Sequence, residues 1–212
     1  QFLINTTTSL VAITIMRSMA EYGGDTAVGA YGIVNRLAMF MAFVVMGLDQ
    51  GMLPIAGYNF GAQKFHRLES VVKYTLVAAT VVTTLSFAAS HLFPGALVGL
   101  FVKDAPELAA AGEHGLRVVS LFWPVIGMQI VSSAFFQSIG SPAKSIFLSL
   151  TRQLLFLVPL LFLFPRLFDN PVDGVWYSMP VADTMAFLIA IALQAWQVKK
   201  FRHILAEKTI TQ

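Results

Sequence analysis

Cysteine is missing from all 212 residues. That excludes disulfides, thiolate metal sites and cysteine nucleophiles. Charge is scarce: 12% of the residues are Asp, Glu, Lys or Arg, where a soluble domain carries roughly 25%. Histidine is limited to His66, His91, His114 and His203, all at span ends or loops, with no H-E-x-x-H spacing. There is no P-loop, no G-x-S-x-G, no low-complexity run and no convincing internal repeat. Nothing here supports an enzyme, a catalytic residue, a metal site or a cofactor. A net charge of +3 is too small to point to nucleic acid.

What is present is apolar. Hydrophobic residues make up 57% of the chain, and the mean hydropathy is +0.72. Six segments stand out, at 2–21, 26–57, 70–92, 105–138, 143–164 and 174–198. Each is long enough to cross ~30 Å of hydrocarbon. Each must be a helix, because lipid offers no partner to an open sheet edge. The expected fold class is an all-α integral membrane bundle of six transmembrane helices. The second and fourth segments exceed one crossing, and Pro54 and Pro124 are expected to kink them. Asp104 with Glu107 reads as a capping box opening the fourth helix. The chain is apolar from Phe2 onward, like the interior of a span, so it reads as part of a longer protein.

The connections alternate in charge. Glu21 and Asp25 flank the first. Lys64, Arg67, Glu69 and Lys73 fall in and after the second. Lys103, Asp104, Glu107 and Glu113 mark the third, and Lys144 the fourth. Arg166, Asp169 and Asp173 mark the fifth, and Lys199, Lys200, Arg202 and Lys208 the tail. Cytoplasmic loops accumulate Lys and Arg. The second and fourth connections and both ends are therefore expected in the cytoplasm. Phe168, Trp176 and Tyr177 suit an interfacial aromatic belt.

Ionisable residues inside spans are costly and need partners or water. Arg152 lies roughly nine residues into the fifth span from one side, and Asp183 roughly nine into the sixth from the other, each about 14 Å deep. An Arg152–Asp183 pair between antiparallel neighbours is geometrically available. It reads either as a structural tie or as a group that couples to a cation or binds substrate. Gln153 points about 100° away, toward another helix. Asn35 and Arg36 sit at mid-depth on the second span. Asn35, Met39, Phe43, Met46 and Gln50 form one helical stripe, either packing or pore-lining. Phe122, Gln129, Ser133 and Gln137 form another on the fourth span, running past Pro124. Asp49 reads as an interfacial acid near the inner end of its span.

These residues, taken in order, resemble a known family. The stretch from Gly29 to Val34, Asn35-Arg36, and GLDQGMLPIAGYNFGAQ at 47–63 are similar to the multidrug and toxin extrusion (MATE) family, in its bacterial branch of drug exporters. GLFVKDAPELAAAGEHGLRV at 99–118, FFQSIGSPAKSIFLSLTRQ at 135–153 and the run from Asp173 through Pro180 to Asp183 agree in order and spacing. The resemblance covers the whole chain. It implies one lobe of a twelve-helix transporter, the C-terminal lobe over 1–212, with the N-terminal lobe of the same transporter as its partner.

The resemblance further implies a multi-pass protein of the bacterial cytoplasmic membrane. Such a protein sits in membrane lipid and exports small organic cations in exchange for protons or sodium ions. Asp183 is the expected cation counter-charge or titrating group, with Arg152 holding it. Asn35, Arg36, Gln50 and Gln129 are expected lining or hinge contacts. The 47–63 stretch is expected to set orientation rather than to bind. Two other classes stay open. One is a flippase for lipid-linked or polysaccharide precursors, which would use Arg36 and Arg152 on a pyrophosphate. The other is a non-transporting scaffold or half-protein.

Overall fold

A computed structural model of the chain describes residues 2–210, with side chains described for 6–141 and 143–197. The elements are α1 (Phe2–Gly61), α2 (Phe65–Leu92), α3 (Pro94–Gly99), α4 (Pro106–Ser120), α5 (Trp123–Ser138), α6 (Pro142–Leu150), α7 (Val158–Leu167) and α8 (Pro171–Ile210). A π-helical segment at Thr151–Leu157 joins α6 to α7. No strand occurs among the described residues.

The first two spans run together as α1, divided at Gly24, whose backbone (φ 62, ψ −158) is non-helical. That conformation is open to glycine and strained for any residue with a Cβ. Thr8 on the first leg hydrogen-bonds Gln153, and Gln50 on the second leg lines a cavity with the same Gln153. The legs therefore fold back antiparallel from a one-glycine hinge. Pro54 leaves the helical backbone of the second leg intact, so the kink expected there does not break the helix. Its missing N–H only deprives the carbonyl of Gln50 of its helical donor.

The fourth span is broken. Helices α4 and α5 meet at a bend of 56°. Pro124 is the second residue of α5 and has no N–H for the carbonyl of Ser120, so the ladder stops there. The expected capping box is corrected: the residue before α4 is Ala105, with no side-chain cap, and Pro106 opens the helix with its φ preset. Helix α2 begins at Phe65 rather than 70, because Phe65, Leu68 and Val72 already form a buried face. The fifth span is α6, the π-helical segment and α7. Its widened turn lies just before Pro159, which removes another backbone donor.

With α1 counted as two legs and the bent α4–α5 pair as one, the apolar helices make six passes. This is a multi-pass membrane protein. Small residues let the passes approach closely, as membrane helices require. At Gly174 a Cβ would fall 2.6 Å from the carbonyl oxygen of Phe164, so α7 and α8 touch through backbone. The buried centre holds Trp176, Phe136, Leu116, Val45 and Met52. Large apolar side chains such as Phe40, Tyr74, Leu85, Phe162 and Leu188 point outward, where lipid or another apolar surface accepts them.

Candidate functional site

Four passes build the site: the second leg of α1, α5, the α6–α7 span and α8. Arg152 is the second residue of the π-helical segment, and Asp183 faces it from α8. Arg152 Nε donates to Asp183 Oδ1. Asp183 is 4% exposed and Arg152 36%, so the carboxylate is enclosed while the guanidinium reaches past it. In an apolar lobe each charge alone would be costly, and together they form a neutral unit. Gln153 turns away as its position dictates. Its Nε2 donates to Thr8 Oγ1 at 3.0 Å, which ties the π-helical segment to the first leg of α1.

Beside the pair lies a cavity of about 300 Å³, within the range of ligand sites. The second leg of α1 contributes Met46, Asp49, Gln50 and Leu53. Helix α5 contributes Ile126, Gln129, Ile130, Ser133 and Gln137, and α6 contributes Ser145, Leu148 and Ser149. Arg152 and Gln153 close it. Ser133 and Ser145 share a hydrogen bond of 2.8 Å across the α5–α6 seam. The lining mixes apolar side chains with four glutamines and three serines, an unusual density of polar groups for a membrane interior.

Gly57 approaches the carbonyl of Ser138, and Lys144 Nζ donates to Gln197 Oε1. Leu53, Gln137 and Ser145 are close neighbours of these residues in sequence, so the cavity opens near that end of the lobe. The opposite end gathers Gly23, Thr26, Ala111, His114 and Asn170 around a smaller hollow, where His114 Nε2 meets Asp173 Oδ1 at 2.7 Å.

Of the residues expected at a site, Arg152, Gln50 and Gln129 line the cavity. Asp183 stands behind Arg152 rather than on the wall. Asn35 and Arg36 do not reach it. Both are exposed on the outside of α1, and Asn35 Nδ2 contacts Met39 Sδ at 3.8 Å. The stripe from Asn35 to Gln50 is an exposed face that enters the cavity only at Met46 and Gln50.

Two readings need correction. Asp49 is not a solvent-exposed acid at the end of its span: it is 5% exposed and lines the cavity. The 47–63 stretch, expected to set orientation and to offer only Gln50 as a lining residue, also supplies Asp49 and Leu53 to the wall. Asp49 shares a helix face with Met46 and Leu53 by spacing, but that spacing does not say that the face points inward. The side chains of Lys199, Lys200, Arg202, His203 and Lys208 lie outside the described residues.

A family model described as MatE matches residues 2–163. The multidrug export protein MepA of Staphylococcus aureus (strain MSSA476) is 25% identical over 192 residues, which are 91% of this chain and 41% of that protein. Among solved structures, an outward-facing multidrug resistance MATE family transporter of the MOP superfamily superposes with a TM-score of 0.88 at 19% identity, over 95% of this chain and 45% of that one. A MATE crystal structure in the bent conformation gives 0.89 at 20% identity, over 96% and 45%. The chain thus spans less than half the length of the proteins it matches.

Proposed function

The chain belongs to the MatE family, and from that premise we propose that it is the C-terminal six-helix lobe of a cation-coupled antiporter. The complete transporter exports drugs or toxic organic cations across a bacterial cytoplasmic membrane. The observation that carries this reading is the polar cavity walled by Gln50, Gln129 and Arg152, with the buried Arg152–Asp183 pair at its side. Half a binding chamber and one exchangeable charge pair are what one lobe of an alternating-access transporter contributes. An N-terminal lobe supplies the other half, and rocking between the lobes opens the chamber to each face in turn.

In this scheme Asp183 takes the coupling ion, a proton or sodium, and Arg152 holds the carboxylate when the ion is gone. Loading neutralises Asp183 and frees Arg152 to swing on the widened turn of the π-helical segment. The side of each connection follows from Lys64, Arg67 and Lys73 near one end of the lobe and from Asp169 and Asp173 at the other, with both chain ends cytoplasmic.

The flippase reading is weaker. A pyrophosphate needs unpaired cations, yet Arg36 lies outside the cavity and Arg152 is already bound to Asp183. The test is dye efflux from vesicles carrying the full-length transporter, driven by a proton or a sodium gradient. Asp183→Asn should abolish the dependence on one of the two ions. Efflux with unchanged ion dependence in that variant would remove Asp183 from the coupling step.

A further inference from the structure

Asp49 is a carboxylate that the coupling scheme does not use. It is 5% exposed, and its Oδ1 is buried with no hydrogen-bond partner. A buried acceptor without a donor is costly, and a buried charge without a partner more so. The cations near the cavity are committed elsewhere. Arg152 Nε serves Asp183. Lys144 Nζ donates to Gln197 and lies over the rings of Phe136 and Trp196 at 5.3 and 4.7 Å. Since Arg152 and Asp183 cancel, the cavity carries a net negative charge whenever Asp49 is ionised, the state that a bound cation would favour. Around it stand Met46, Leu53 and Ile126, apolar surfaces that exclude water, and the amides of Gln50 and Gln129.

We propose that Asp49 is the substrate subsite of this lobe, the counter-charge for the cationic head of an amine or quaternary ammonium compound with an apolar body. This rests on the exporter reading above and divides the labour within it: Asp183 serves the coupling ion, Asp49 the cargo. An organic cation entering this cavity would lose its hydration, and a carboxylate with an unused oxygen offsets that loss where a neutral ion pair does not. The apolar side chains on the same wall cover the rest of the compound, and the glutamines orient it.

The experiment measures binding of benzyltrimethylammonium, whose charge is permanent, to the detergent-solubilised full-length transporter by calorimetry. Asp49→Asn should weaken binding about tenfold or more, ~1.4 kcal/mol. Asp49→Glu, which keeps the carboxylate, should stay near the wild-type affinity. Neopentylbenzene, the neutral isostere, should compete poorly with the cation on the wild-type protein, a measurement that does not depend on any variant folding. Equal binding by Asp49→Asn and wild type, or equal affinity for cation and isostere, would overturn the Asp49 assignment while leaving the exporter reading in place. No binding of the cation by the wild-type transporter would remove the exporter reading, and Asp49 with it.

Discussion

Arg152 and Asp183 are held by burial as much as by attraction. Asp183 keeps 4% of its surface, so the cost of stranding it exceeds the gain from pairing it. Arg152→Leu should therefore destabilise the lobe by ~3–5 kcal/mol, the usual result of leaving one buried charge alone. Replacing both residues, Arg152→Leu with Asp183→Leu, should recover most of that loss. Thermal unfolding in detergent reads both effects. A double variant as unstable as the single one would mean that the pair is not what Arg152 provides. Gln153, one residue along, bonds the opposite neighbour at Thr8, so Arg152 and Gln153 together brace the π-helical segment from two sides.

At the scale of elements, the breaks sit where glycine or proline permits nothing else. Gly24 is the sharpest case. Its Cβ position is open, with no atom within 4 Å, but its φ of +62 is not. Gly24→Ala should cost ~1–3 kcal/mol through backbone strain alone. Gly32→Ala, equally open but without a positive φ, should be neutral or slightly stabilising, because helical alanine loses less entropy than glycine. Melting temperatures of the two variants separate the explanations: a similar loss in both would point to crowding rather than to the hinge. Depth along these elements was legible in the residues. Counting inward from each end brings Arg152 and Asp183 level, and the structure joins them. Rotation about each axis was not legible, because spans that are apolar on every side carry no rotational signal. Asn35, Arg36 and Asp49 share one helix, yet the first two face outward and the third inward. Asp49 shares its cavity with the Gln129–Gln137 face of α5, whose direction follows the break before Pro124 and nothing within α1.

For the whole molecule, the proposed orientation in the membrane rests on the charges at its two ends. Lys64 lies in the turn between α1 and α2, near Ser138 and Lys144. Lys103 and Asp169 belong to the opposite end, with His114 and Asp173. The free energy of moving charged loops across the bilayer favours the Lys- and Arg-rich end inside. The lack of cysteine in these 212 residues makes this easy to check, since each introduced thiol is a lone reporter within the lobe. Lys64, Lys103 and Asp169 are all exposed, so Lys64→Cys, Lys103→Cys and Asp169→Cys are accessible without disturbing the core. On intact cells a membrane-impermeant maleimide should label the thiols at 103 and 169 and leave that at 64 untouched until the cells are opened. The reverse pattern would turn the lobe over and place the cavity mouth, with Asp49 just inside it, on the external side. On the assignment proposed for Asp49, cargo would then meet that carboxylate on leaving the cell rather than on entering the transporter, so the labelling result decides at which step the proposed subsite acts.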